Sequence, residues 1–178
     1  RGGSLTIPLH LTPNSRNSNM TPRLNLMTAA PSLMKDWQMA MTKLATAASF
    51  DPKLSELVKL RASQINGCAN CINLHMVEAR EHGETEQRIC LLPSWREAPG
   101  YSERERAALA WTDALTQLCE GDTHTTAYEG LKAHFTDEEQ VKLTLTINVI
   151  NGWNRLAVGF RLFMDASGIR ASAKGGAA

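Results

Sequence analysis

Residues 51–83 read DPKLSELVKLRASQINGCANCINLHMVEAREHG, and the fold class and the chemistry both turn on this stretch. Asp51 ahead of Pro52 is a helix start, an acceptor side chain at the N-cap followed by a ring already set at helical φ. Leu54, Leu57, Val58 and Ile65 recur at helical spacing, predicting a helix from Pro52 to about Ser63. Asn66-Gly67 breaks it. A second helical run follows from Cys68 to His82 and stops at Gly83, a residue suited to the position just past a helix end. Ile72, Leu74, Met76, Val77 and Ala79 make this second helix apolar nearly all round, which predicts a central helix with its first turn at a pocket.

Working outward, the same signals repeat. Pro31–Ser49 carries the helical stripe Leu33, Met34, Trp37, Met41 and Leu44. Ser102-Glu103-Arg104-Glu105 is a capping box ahead of Ala107, Leu109, Ala110, Trp111, Leu115 and Leu118, with a stop near Gly121. A shorter helix fits Thr125–His134. Thr136-Asp137-Glu138-Glu139 is a second capping box, opening a long helix through Val141, Leu143, Leu145, Val149 and Ile150, with a kink expected at Gly152 before Leu156–Phe163. Strand-like alternation is scarce. The reading is all-α: one domain over residues 20–165, a bundle of about six helices. Residues 1–19 read as a cloning remnant or disordered arm ahead of Met20, and residues 166–178 as a frayed tail.

Composition narrows the function classes. At 178 residues, 43% hydrophobic and 21% charged, the chain is an ordinary globular domain that needs no metal or disulfide to fold. No apolar run approaches the roughly 20 residues of a membrane span. With 19 basic and 18 acidic residues, the net charge of +1 gives no footprint for nucleic acid or an anionic membrane. Four cysteines are too few for a disulfide scaffold, and no secretory signal precedes them; a cytoplasmic setting is expected.

Cys68 and Cys71 form a CxxC, which in such a setting points to redox or metal chemistry. An α-helix turns about 100° per residue, so Cys68, Cys71 and His75 share an arc of about 60°. Cys71 and His75 are an i,i+4 pair, and a thiolate in the first turn gains from the helix dipole. A thiol of ordinary pKa is only about 3% ionised at pH 7; lowering that pKa to about 6.5 ionises roughly three quarters of it, for about 2.7 kcal/mol of differential stabilisation. Zinc would instead take Cys68, Cys71 and His75 with a fourth ligand such as His82 or Cys90, although no second CxxC or HxxxH is present.

The segment from Glu56 through Cys68 and Cys71 to His75 resembles the E-x11-C-x2-C-x3-H signature of the AhpD-like alkylhydroperoxidases, within the carboxymuconolactone decarboxylase-like superfamily. The resemblance runs from about Pro31 to Phe163, through Ala79, Gly83, the Ser102–Leu115 helix and Asn151-Gly-Trp-Asn-Arg155. It implies an AhpD-like helical bundle in which Cys71 is the peroxidatic cysteine, Cys68 the resolving one, and His75 with Glu56 the proton relay. The founding AhpD proteins carry a histidine directly before the second cysteine; here that place is Asn70.

On these grounds the expected function is a thiol-dependent peroxidase acting on hydrogen peroxide or organic hydroperoxides. It would need an external dithiol reductant or reductase, but no metal, haem or flavin. The resemblance also implies assembly into dimers, trimers or hexamers. The competing readings are carboxymuconolactone-decarboxylase-type lactone chemistry, which does not depend on paired cysteines, and a non-enzymatic dithiol sensor or zinc-stabilised interaction protein. Taken without the resemblance, Glu56 lies more than 100° from its helix's apolar stripe and reads as a surface glutamate beside Lys53 and Lys59. Cys90 reads as a core residue, Cys119 as an unactivated thiol near a helix C-terminus, and His82 as a cationic cap. His124 and His134 are given no role. Asn151, Trp153, Asn154 and Arg155 read as an interface or a buried hydrogen-bond network.

Overall fold

The computed structural model describes residues 22–118 and 123–162. The described residues form α1 (Leu26–Ala29), α2 (Pro31–Ala47), α3 (Pro52–Ile65), α4 (Ala69–Glu81), α5 (Glu86–Leu91), a 3-10 turn (Leu92–Ser94), α6 (Glu103–Thr116), α7 (Thr123–His134) and α8 (Asp137–Phe160). The class is all-α, as the periodicity predicts, but with eight α-helices among the described residues instead of about six. The additional ones, α1 and α5, have four and six residues, too short to display a helical period. The expected arm, the expected tail and Cys119 lie outside the described residues.

Local chemistry accounts for the helix boundaries. The Asp51 side chain accepts from the backbone N–H groups of Lys53 and Leu54 to start α3. Reciprocal capping boxes open α6 at Ser102 and α8 at Thr136. Helix α3 closes in a Schellman motif: Gly67 N–H donates to Gln64 O and Cys68 N–H to Ser63 O, with Gly67 at φ +65°. Helix α4 closes in the same way, with Gly83 at φ +81° and Glu84 N–H on Ala79 O. Left-handed φ without a Cβ penalty is why both positions are glycine.

The central helix is α3. It packs against α4, α6 and α8 and buries seven of its 14 residues, whereas α4 buries only Cys71, His75 and Ala79. Leu74 and Val77 of α4 remain exposed, correcting the expectation that α4 is central. Helix α8 runs unbroken through Gly152. That glycine serves close packing instead of a kink: a Cβ there would sit 3.0 Å from the Trp37 ring of α2, which also meets Trp153 edge-on at 6.0 Å. Cys90 is exposed, because α5 is a short surface helix that buries Ile89 instead. No helix among the described residues is long and apolar enough to cross a membrane.

Asp113 of α6 ties three elements together. It accepts from Arg61 Nε at 2.7 Å and Nη2 at 3.1 Å, from Trp95 Nε1 at 3.2 Å and from Arg96 Nη1 at 2.6 Å, while itself buried. Removing the carboxylate strands a half-buried guanidinium and a buried indole N–H. Asp113→Ala is expected to lower unfolding stability by about 3–5 kcal/mol, read from the urea midpoint at constant m-value. A loss under about 1 kcal/mol would show that water satisfies these donors.

Candidate active site

The site is built at the corner between α3 and α4. The Schellman motif that ends α3 delivers Cys68 directly as the N-cap of α4, its Sγ accepting from Cys71 N–H at 3.3 Å. The corner is pinned from α8: Asn66 Nδ2 donates to Asn151 Oδ1 at 2.8 Å and Asn154 Oδ1 at 2.9 Å, and Asn154 Nδ2 donates to Ser63 Oγ at 3.1 Å. Arg155 Nη1 braces Asn151 through its backbone oxygen at 2.9 Å. Asn151 and Asn154 therefore form the buried network that sequence reasoning offered as one alternative, with the exposed Arg155 bracing it, and its role is to fix where α4 begins.

Cys68 and Cys71 are joined as a disulfide with a Cα–Cα separation of 5.4 Å, inside the usual range. Both are buried among Ala62, Ile150 and Ala157. Cys68 lines a crevice of about 140 Å³ with Asn70, Ala157, Val158, Arg161 and Leu162. The α4 start thus does meet a pocket.

One turn beyond Cys71, His75 Nδ1 lies 2.9 Å from Glu56 Oε2 and 2.9 Å from Glu78 Oε2. Lys59 Nζ pairs with Glu56 Oε1 and stands 3.9 Å from Glu78 Oε2. Glu56 is only 5% exposed, against its appearance as a surface residue. An apolar stripe marks a single buried face, but α3 is enclosed by three helices. Glu56 and Lys59 also line a crevice of about 320 Å³ with Phe50, His82, Thr146 and Val149, so one pocket borders Cys68 and another the carboxylate.

The structure therefore joins the cysteines as one pair and Glu56 with His75 as another, linked by the i,i+4 spacing of Cys71 and His75 on α4. Glu78 is the residue sequence reasoning missed; its signal was the i,i+3 spacing from His75. Among the described residues the one compact group of possible metal ligands is Glu56, His75 and Glu78. Neither cysteine belongs to it, and Lys59 already supplies its cation, so we assign no metal there.

Burial pushes the His75 imidazolium toward losing its proton, but the hydrogen bonds to Glu56 and Glu78 outweigh this and raise its pKa above 6.5. The hydrogen bond from His75 holds the Glu78 carboxyl down at about 2. A raised histidine contributes stability that is full below its unfolded pKa and lost as pH rises through the folded one; a lowered carboxyl contributes stability that is present above its unfolded pKa and lost as pH falls. The stability that wild type gains over His75→Ala should therefore peak between pH 4.5 and 6.5 and shrink on either side. Urea titrations across the pH range test this, and a pH-independent difference would refute the coupling.

The Carboxymuconolactone decarboxylase family matches residues 31–114, which include all four signature residues. The uncharacterised protein YdfG of Bacillus subtilis is 39% identical over 155 residues, covering 87% of this chain and 100% of its own. YnjA of Escherichia coli, also uncharacterised, is 28% identical over 117 residues, covering 65% of this chain and 60% of its own. Among solved structures, ATU0492 of Agrobacterium tumefaciens, a protein of unknown function proposed to be the antioxidant defence protein AhpD, superposes with a TM-score of 0.77. It is 44% identical and covers 83% of this chain and 100% of its own. The debrominase Bmp8 shares the fold at a TM-score of 0.67 and 19% identity, covering 79% of this chain and 75% of its own. A match over the whole length of the Bacillus relative, and a family match across the site itself, place the chain in the carboxymuconolactone decarboxylase family, among its AhpD-like members.

Proposed function

We propose that this protein is a thiol-dependent peroxidase that reduces hydrogen peroxide or small organic hydroperoxides. Its family includes enzymes, and the observation that supports this reading is the Cys68–Cys71 disulfide at the start of α4, one turn from an imidazole tied to Glu56. A buried dithiol that can close on itself beside a proton carrier suits peroxide chemistry better than lactone chemistry, which does not depend on sulfur.

The cycle begins from the reduced dithiol. His75, oriented by Glu56, takes the Cys71 thiol proton, and the thiolate attacks the terminal peroxide oxygen. The O–O bond breaks, Cys71 becomes a sulfenic acid, and the alkoxide leaves as alcohol with the proton from His75. The Cys68 thiol then displaces hydroxide from the sulfenic sulfur, forming the disulfide and releasing water. An external dithiol reduces the disulfide by two exchanges, itself becoming a disulfide. A reducing compartment such as the cytoplasm would supply it. Cys71 is the attacking sulfur because His75 lies at i+4 from it, whereas Cys68 is the N-cap and borders the crevice from which a reductant would arrive.

Intact mass after one equivalent of cumene hydroperoxide tests the assignment. The reduced wild type should lose two hydrogens, roughly 2 Da, while Cys68→Ser should stop at a Cys71 sulfenic acid, roughly 16 Da heavier. Cys71→Ser should leave the peroxide unconsumed. His75→Ala should slow peroxide consumption by about 10²–10⁴-fold. If Cys71→Ser reacts as fast as wild type, the attacking sulfur is not Cys71.

A further inference from the structure

One ring nitrogen of His75 faces two carboxylates, and a proton relay needs only one of them. Glu56 Oε2 and Glu78 Oε2 each lie 2.9 Å from Nδ1. Both are acceptors, so the neutral ring keeps its hydrogen on Nδ1, and Nε2 is the nitrogen left to exchange a proton with the thiol one turn away. A single acceptor would already fix that tautomer. The second carboxylate must be explained by charge.

The charged groups around His75 come from two helices. Helix α3 brings Glu56 and Lys59, and the imidazole's own helix brings Glu78; α8, also packed on α4, forms no ion pair with it among the described residues. Lys59 pairs with the other oxygen of Glu56, and its charge opposes a proton on His75. Glu56 gives the imidazolium its strongest support and Lys59 opposes it, so Glu78, 3.9 Å from Lys59 Nζ, is the second anion, the one that balances the ammonium. The Glu78 side chain is 36% exposed while that of Glu56 is only 6% exposed, so the two carboxylates differ in solvent access as well as in helix.

We propose that Glu78 is a positioning residue whose carboxylate offsets Lys59, keeps the proton on His75 and so favours the Cys71 thiolate. The inference deepens the peroxidase reading and rests on it for its purpose, though its electrostatic content stands apart from turnover. An imidazolium at i+4 favours the ionised thiol. A neutral imidazole beside an uncompensated Lys59 would not.

The test uses the full chain in its reduced form. Glu78→Gln keeps the size and removes the charge at a partly exposed site. NMR titration of the His75 ring should place loss of its proton roughly one pH unit lower in this variant. The pH at which the Cys71 thiolate absorbance at 240 nm appears should move upward, and the acid limb of the peroxide rate profile should follow the thiolate. Lys59→Met combined with Glu78→Gln should return both titrations toward wild type, because the two opposing charges leave together; loss of packing alone would not be reversed in this way. Unchanged titrations in Glu78→Gln, or no reversal in the double variant, would overturn the proposal. If the His75 titration moves as stated while wild type consumes no peroxide, the role of Glu78 stands and the peroxidase reading fails.

Discussion

A single side-chain amide holds the site in place. Asn66 is the last residue before the chain turns from α3 into α4, and its Nδ2 donates to two asparagines one turn apart on α8. Because Gly67 can take a left-handed φ, the carbonyls at the end of α3 are satisfied within two residues and α4 starts at once. The partly buried amide of Asn66 and the buried amides of Asn151 and Asn154 are expensive to leave unpaired, so the corner has one low-energy arrangement against α8. That arrangement decides which residue caps α4. The cap is a cysteine, with its CxxC partner in the first turn.

From that constraint the rest of the site follows by helical spacing. Once α4 starts at Ala69, Cys71 and His75 lie on the face turned inward, and the antiparallel return along α3 sets Glu56 beside the imidazole. Burying so many charges is costly unless they are paired. Here two carboxylates, one ammonium and one imidazole compensate each other within a few ångströms, with Glu78 and Lys59 at the wetter rim. The consequence is a histidine inclined to keep its proton, one turn along α4 from Cys71.

Much of this was legible in the sequence, and the reasons differ from element to element. Long helices with capping boxes, α6 and α8, declare themselves because local hydrogen bonds and apolar period agree. The short α1 and α5 do not, since fewer than two turns give no period to detect. Gly152 signals a kink in sequence, but in the structure it is the space taken up by the Trp37 ring, which nothing within α8 could disclose. Cys90 looks like core because its neighbours are apolar, yet only one face of α5 turns inward.

What the sequence determined alone is the local part: helix starts and stops, and a CxxC with a histidine one turn on, all within reach of hydrogen bonds a few residues long. What the tertiary structure decided is which of those groups are buried together. Glu56 reads as a surface glutamate from its own helix, and the packing of α3 among three others turns it inward onto His75. The pairing of Glu78 and Lys59 with the same cluster depends on α3 and α4 lying antiparallel at one register. Burial and charge compensation arise from contacts between helices far apart in the chain, and a periodicity read along one helix contains no information about its neighbours.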